Sequence, residues 1–164
     1  MKLSAKSFTL LATICLLAFA ACKTPTEISR EYGSYGFATQ CIGTDPDGNQ
    51  ILRTWGNGIS KAKAIEQAKR KAVETVILKG INDGAGGCDR RPLVNEVNAR
   101  EKYEEYFNAF FREGGAYNKY VTLEEKRTSR IKSQNAEMEA WSVVVIVKLP
   151  QLKHRLIDDN MITK

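Results

Sequence analysis

An alanine-rich helical pattern in the first half of the chain is the feature that most restricts how it can fold. The segment "KAKAIEQAKRKAVETVILKG" begins after Ser60, a typical N-cap residue, and ends at Gly80, where a C-terminal cap is expected. Its apolar residues recur at helical spacing, at Ala62, Ile65, Ala68, Ala72, Val73, Val76 and Ile77. Because the first part of this stripe is alanine, the helix can approach a sheet closely. The pattern therefore predicts a helix packed directly on a β-sheet.

Four segments with strand character surround this helix. Two precede it, at residues 35–43 and 51–58, around a turn in "DPDGNQ". Two longer ones follow, hinged near residues 133–135, and the last contains the continuous apolar run 143–147, which is typical of a central strand. We therefore predict a two-layer α+β domain of order β-β-α-α-β-β-α. Its antiparallel sheet of about four strands is packed by two main helices and a short C-terminal helix.

The N-terminus has the build of an export signal. Lys2 and Lys6 form a short basic start, residues 8–18 are largely apolar, and small residues precede Cys22. The apolar run is shorter than the roughly 20 residues that a membrane-spanning helix needs. At "LAFAAC" the pattern resembles the lipobox of bacterial lipoproteins, with Phe19 where that motif usually has leucine. The resemblance implies that the Cys22 sulfur carries a diacylglycerol and that the mature protein begins at Cys22.

Two interpretations of Cys22 remain open at this point: a lipid-bearing residue, or a free thiol or disulfide partner after an ordinary secretory signal. With the lipid, residues 1–21 form the signal peptide, residues 22–34 a lipid-anchored tether and residues 35–164 a single domain. Lys23 follows the cysteine directly, at the +2 position where an acidic residue retains some lipoproteins in the inner membrane. By resemblance to that sorting rule, we expect attachment to the outer membrane. No acidic run follows the cysteine, so we expect the domain to face the periplasm.

The four cysteines divide into two groups. Cys15 leaves with the signal and Cys22 is used by the lipid, so Cys41 and Cys88 remain as a pair. Because an exported protein folds in an oxidising compartment, we predict a disulfide between Cys41 and Cys88. The glycine-rich sequence before Cys88 favours a loop held by such a bond. The alternative is two buried free thiols.

The charge of the chain argues against a nucleic-acid partner. Removal of residues 1–21 takes away two lysines and no acidic residue, which lowers the formal net charge from +6 to +4. This modest excess is unlike the composition of nucleic-acid-binding domains. We expect contact with the membrane through the N-terminal lipid, and a protein of the cell envelope as partner.

Two surfaces are candidates for partner binding. Residues 95–113 predict a second helix with a bulky aromatic stripe, which usually forms core but would bind a partner if its end projected beyond the sheet. Lysines and arginines on the alanine-rich helix could bind acidic lipid or glycan, although a solvated helix surface is the simpler interpretation. The candidate contacts are Tyr103, Tyr106 and Phe110 from the stripe and Lys69 and Arg70 from the first helix.

Few residues could support catalysis or hold a cofactor. His154 is the single histidine, and with two cysteines in a disulfide too few ligands remain for zinc. The stretch "DPDGN" begins like a calcium loop but lacks the closing glutamate, so it predicts a turn. The stretch "GINDGAGGCDRR" lacks the spacing of a phosphate-binding loop. We expect no metal and no other cofactor.

The sequence therefore favours a non-catalytic binding or assembly module. One alternative is an envelope hydrolase that uses His154 with an aspartate or serine brought near by folding. Another is an inhibitor that blocks a foreign enzyme with the glycine-rich loop before Cys88.

A loose family resemblance agrees with this interpretation. The stretches "GNGISKAKAIEQAKRKAVETV" and "WSVVVIVKLPQLKHRL" resemble a domain of small bacterial envelope lipoproteins that also opens the flagellar T-ring protein. The resemblance covers residues 37–157, without a confident match for the aromatic helix. It implies an α+β fold and a structural or assembly role, and it transfers no catalytic residue.

Overall fold

The structure, a computed structural model, describes residues 38–133 and 136–163. The predicted signal peptide, the tether, Cys22, the first residues of the predicted domain and part of the predicted hinge lie outside these ranges. The five strands are β1 (Gln40–Thr44), β2 (Gln50–Gly58), β3 (Asp83–Gly84), β4 (Val121–Ile131) and β5 (Glu139–Val147). The four α-helices are α1 (Lys61–Glu74), α2 (Ala99–Lys102), α3 (Glu104–Phe111) and α4 (Leu149–Asp158). A π-helical turn, Thr75–Lys79, extends α1, and a 3-10 helix, Ala116–Tyr120, precedes β4.

The strands form one mixed sheet in the order β3-β1-β2-β5-β4. The pairs β1–β2, β2–β5 and β5–β4 are antiparallel, whereas β1 and β3 are parallel. In the long central pair, Leu52 lies opposite Val145 and Thr54 opposite Val143. The predicted α+β class is confirmed, and the apolar run in β5 is a central strand as expected.

The sheet differs from the prediction in having five strands and a parallel edge. The additional strand β3 is two residues long, too short to leave a periodic signal in the sequence. It lies in the glycine-rich loop, where Gly84 has φ of 100° and contacts the backbone of Cys41 directly. The disulfide nearby and the hydrogen bond from the Ala85 N–H to the Cys41 carbonyl oxygen, at 2.9 Å, hold this loop against β1.

The aromatic segment 95–113 does not form the single helix that its spacing predicts. Asn98 has φ of 57°, in the left-handed region that asparagine tolerates better than most residues, so helix α2 begins only after it. Tyr103, with φ of −112° and ψ of 38°, then separates α2 from α3. The break lets the aromatic residues of α3 turn into the core independently of α2.

The core lies between one face of the sheet and the helices. Helix α1 packs across β2 and β5, and the aromatic side chains of α3 and the leucines of α4 complete the same cluster. Its largest fully buried side chains include Tyr117, Phe107, Leu52, Ile77, Leu152 and Leu156. The described helices therefore cover a single face of the sheet.

The contact between β2 and α1 is unusually close. A Cβ atom added to Gly56 would lie 2.0 Å from the carbonyl oxygen of Ala64, and one added to Gly58 would lie 2.6 Å from the Ala64 nitrogen. Ala64, Ala68 and Ala72 are fully buried, so the helix backbone rests almost on the strand. The predicted close approach of the helix to a sheet is confirmed, with glycines on the strand matching alanines on the helix.

The residues at the two ends of this helix are the ones that the sequence predicts. The Ser60 hydroxyl accepts a hydrogen bond from the Lys63 N–H at 3.4 Å, as an N-cap does. Gly80, with φ of 75°, ends the π-helical turn, where a side chain would meet the Arg90 carbonyl oxygen. Within the stripe, Ala62 is exposed and Ala64 takes its place in the core.

The predicted disulfide between Cys41 and Cys88 is present, with Cα atoms 5.9 Å apart. It joins β1 to the loop that follows β3 across a sequence separation of 47. Cys41 is buried and Cys88 is half-buried. The bond therefore fixes an otherwise exposed glycine-rich loop to the edge of the sheet.

The close approach of β2 and α1 predicts that Gly56→Ala destabilises the protein severely. The added methyl overlaps backbone atoms that cannot rotate away, so we expect the free energy of unfolding to fall by about 3 kcal/mol or more. Gly86→Ala is the matched control, because Gly86 is exposed and a Cβ there meets no atom within 4 Å. Its effect should stay below about 1 kcal/mol in urea denaturation. Equal stabilities of the two variants would contradict the packing argument.

The disulfide predicts a second loss of stability. The double variant Cys41→Ala/Cys88→Ala should lower the free energy of unfolding by about 4 kcal/mol, the chain-entropy value for a loop of this length. Reduction of the wild-type protein with dithiothreitol should move its urea midpoint to that of the variant. An unchanged midpoint in both experiments would contradict a role in stability.

Candidate functional site

The lysines of helix α1 contact neighbouring parts of the fold. Lys61 Nζ lies 4.5 Å from the centroid of the Trp141 ring, and Lys69 Nζ donates a hydrogen bond to Asn118 Oδ1 at 2.7 Å. Lys63 pairs with Glu113. Arg70 is exposed beside a small pocket of about 220 Å³ that also includes Tyr117. This surface thus stabilises adjoining segments, and it does not present a row of free cations.

The predicted aromatic contacts divide between core and surface. Phe110 is 4% exposed and packs in the core, so it offers no contact area to a partner. Tyr106 is half-buried and stacks on Phe110, with ring centroids 5.7 Å apart. Tyr103 is half-buried at the edge of a broad cleft of about 1140 Å³, which lies between residues 89–96 and the C-terminal residues.

The hydroxyl of Tyr106 has a structural role. It donates a hydrogen bond to Asp159 Oδ2 at 2.6 Å, and Arg155 Nε donates to the same oxygen at 2.7 Å. Burial, followed by the hydrogen bond to Asp159, raises the pKa of Tyr106 above its ordinary value. The tyrosine thus ties α3 to the end of α4.

His154 lies on the surface of α4. Its side chain is 77% exposed, and Nδ1 is 3.0 Å from Asp158 Oδ2 one turn away. The shallow groove beside it is also lined by Tyr120, Pro150, Gln151 and Arg155, with no serine or cysteine from the described part of the chain. A histidine–carboxylate pair is therefore present, and the lining of its groove includes no serine, threonine or cysteine of the described residues.

In the turn at residues 45–49, the carboxylate of Asp45 accepts hydrogen bonds from residues of the same turn. Asp45 Oδ1 accepts hydrogen bonds from the backbone N–H groups of Asp47 and Asn49, at 3.0 and 2.8 Å. Asp45 Oδ2 accepts from the Asn49 side chain, and this bond is the main reason that the pKa of Asp45 is lowered. The stretch is a turn, as its residues predicted. Among the described residues, no group of three or more histidine, cysteine, aspartate or glutamate side chains is placed to hold a metal ion.

The sheet face that no described helix covers carries a groove that the sequence patterns did not single out. Along β2 and β5, alternate residues point away from the helices, and a groove of about 520 Å³ runs between them and β4. Its lining includes Arg53, Trp55, Arg127, Ile131, Ser142 and Val144. Arg53 and Arg127 are exposed, Trp55 is half-buried, and Val144, 2% exposed, forms the floor. The groove therefore joins an aromatic ring, an apolar floor and two guanidinium groups.

An irregularity in β4 places Arg127 at this groove. Leu123 pairs with Val145 but Thr128 pairs with Val143, so β4 carries extra residues between these two points. Such a bulge changes which side of the sheet the later residues face. Arg127 Nη1 also donates to Glu124 Oε2 at 3.2 Å within the bulge.

Part of this site has a signal in the sequence. In "QILRTWGNG", strict alternation puts Arg53 and Trp55 on one side and Leu52 and Thr54 on the other. The sequence carries no signal that Arg127 belongs to this groove. Regular alternation of side chains from the buried Val121 would place Arg127 on the core side of the sheet.

Comparisons with known proteins add no family to these observations. No protein-family model matches the sequence, and no curated protein or solved structure is significantly similar to it. None of the helices within the described ranges is long and apolar enough to cross a membrane.

The link between α3 and α4 predicts a specific loss of stability in Tyr106→Phe. Removal of the hydroxyl should lower the free energy of unfolding by about 1 to 2 kcal/mol, because the hydrogen bond to a carboxylate is lost while the ring stacking remains. Tyr120→Phe is the matched control, since Tyr120 also stacks on Phe110 but its hydroxyl makes no hydrogen bond in the described ranges.

The same hydrogen bond predicts that the free energy of unfolding falls with pH in the alkaline range. A tyrosine whose pKa is raised on folding stabilises the fold below its unfolded pKa of about 10 and loses this contribution as pH rises further. Urea denaturation at a series of pH values should therefore show the wild-type advantage over Tyr106→Phe shrinking above about pH 10. An advantage that grows with pH would contradict the assignment.

Proposed function

We propose that this chain is a lipid-anchored envelope lipoprotein that acts as a non-catalytic binding or assembly module in the periplasm. The observation that carries the proposal is the sequence "LAFAAC" at the end of an export signal, with Cys22 at the position that lipoproteins acylate. Two or three acyl chains, at about 0.8 kcal/mol per buried methylene, hold a domain on a membrane without any spanning helix.

The disulfide supports an exported location. Disulfides form and persist in oxidising compartments such as the periplasm and are rare in the cytosol. The Cys41–Cys88 bond closes the glycine-rich loop onto β1, so an oxidising compartment stabilises the fold observed. Lys23 at the +2 position, in place of an acidic residue, supports attachment to the outer membrane, and the lack of an acidic run after Cys22 supports the periplasmic face.

The arrangement of side chains supports binding over catalysis. His154 is exposed on a helix surface, and its ring contacts the carboxylate of Asp158 on the same helix. By contrast, the open sheet face combines Trp55 with Arg53 and Arg127, residue types that are enriched among the strongest contacts of protein interfaces. An envelope protein is therefore the proposed partner, with no cofactor and no nucleic acid.

Mass spectrometry of the protein purified from membranes tests the anchor. We expect the mature chain to begin at Cys22 with the added mass of diacylglycerol, and Cys22→Ser to abolish both the modification and the membrane fraction. Cys15→Ser is the matched control, because Cys15 lies inside the proposed signal, and it should leave acylation unchanged. An unmodified mature chain recovered from the soluble periplasm would contradict the proposal.

A further inference from the structure

The groove on the open sheet face carries charge of a single sign. Arg53 and Arg127 line it, and no aspartate or glutamate of the described residues does. Arg53 makes no ion pair within residues 38–133 and 136–163, and Arg127 is paired with Glu124 only through Nη1. A ligand that enters this groove therefore meets two cationic groups and no opposing carboxylate in its lining.

Trp55 adds an unused hydrogen-bond donor to these charges. Its indole N–H has no partner in the part of the chain that the structure describes, whereas Trp141 Nε1 donates to Glu139 Oε2 at 2.8 Å. A half-buried indole normally pairs its N–H, and at interfaces it combines a large apolar surface with that polar group. Trp55 lines a groove on the sheet face that no described helix covers.

We propose that this groove binds an extended, acidic peptide segment of a protein partner. In this arrangement the Trp55 ring packs on an apolar side chain, and Arg53 and Arg127 pair with carboxylates on either side of it. The floor is a sheet face beside the edge strand β4, which suits an extended chain with alternating side chains. Surface binding to anionic lipid uses clusters of about four to eight basic residues, more than this groove supplies. The inference rests on the proposed binding role and names the site and the partner chemistry.

The test uses the two tryptophans as reporters. The purified full-length protein, labelled with ¹⁵N and held in a non-ionic detergent, should show two indole N–H signals, assigned with Trp55→Phe. An octapeptide of alternating glutamate and valine should shift the Trp55 signal in a saturable, salt-sensitive manner. The Trp141 signal should stay in place, because its donor is already bonded to Glu139. An octapeptide of alternating lysine and valine should produce no shift.

Two variants separate the groove from the general charge of the protein. Arg53→Gln/Arg127→Gln should weaken binding of the acidic octapeptide at least tenfold. Arg112→Gln removes an exposed arginine that does not line the groove, and it should leave the affinity unchanged within twofold. An unmoved Trp141 signal in the double variant confirms that the fold is intact.

Several outcomes would overturn the proposal. They are an unmoved Trp55 signal with the acidic octapeptide, equal effects of the acidic and basic octapeptides, and equal loss of affinity in the double variant and Arg112→Gln. A Trp55 shift produced by phosphatidylglycerol in the micelles, and not by the peptide, would assign the groove to lipid instead. Absence of peptide binding by a protein that does carry the Cys22 lipid mass overturns the groove assignment alone. Peptide binding by an unacylated protein overturns the anchor alone.

Discussion

The direct contact between strand β2 and helix α1 is the constraint on which the rest of the structure depends. Gly56 and Gly58 leave no side chain between the strand and Ala64 and Ala68, so the two backbones meet at a distance that no larger residue permits. This contact sets the position of α1 on the sheet. The aromatic residues of α3 and the leucines of α4 then fill the space that remains beside it. Since protein interiors are packed as densely as organic crystals, a displaced α1 would leave gaps throughout this cluster.

Hydrogen bonds and the disulfide connect segments at the edge of this core. The hydroxyl oxygens of Thr39 and Thr75 lie 3.3 Å apart, and the Thr75 hydroxyl donates a hydrogen bond to the Lys71 carbonyl oxygen at 2.8 Å. These hydrogen bonds join the residue just before β1 to the end of α1. The disulfide holds the glycine-rich loop on β1, and the hydrogen bond from Tyr106 to Asp159 holds α3 to α4. Each of these three links joins segments that are far apart in the sequence.

The two faces of the sheet have different physical roles as a result. The helices pack on one face, and two residues that the sequence predicted as partner contacts have structural roles on that side: Phe110 lies in the core, and Lys69 bonds to Asn118 of a neighbouring segment. The opposite face keeps an indole and a guanidinium group without partners in the described residues. The sheet face that no described helix covers is therefore the better candidate for binding than the aromatic helix.

The sequence by itself determined the elements whose signals are local and periodic. Examples are the alanine stripe with its Ser60 and Gly80 ends, the turn at Asp45 and the α+β class. The sequence favoured a Cys41–Cys88 bond over two free thiols, and the tertiary structure brings their Cα atoms within bonding distance. Only the tertiary structure decided the break at Tyr103, the short parallel strand β3 and the meeting of Arg127 with Trp55. The physical reason is that these features arise from contacts between distant segments. A bulge in β4 reverses the alternation of the sequence, and the two-residue strand β3 lies where the disulfide and hydrogen bonds to β1 hold the glycine-rich loop on the sheet.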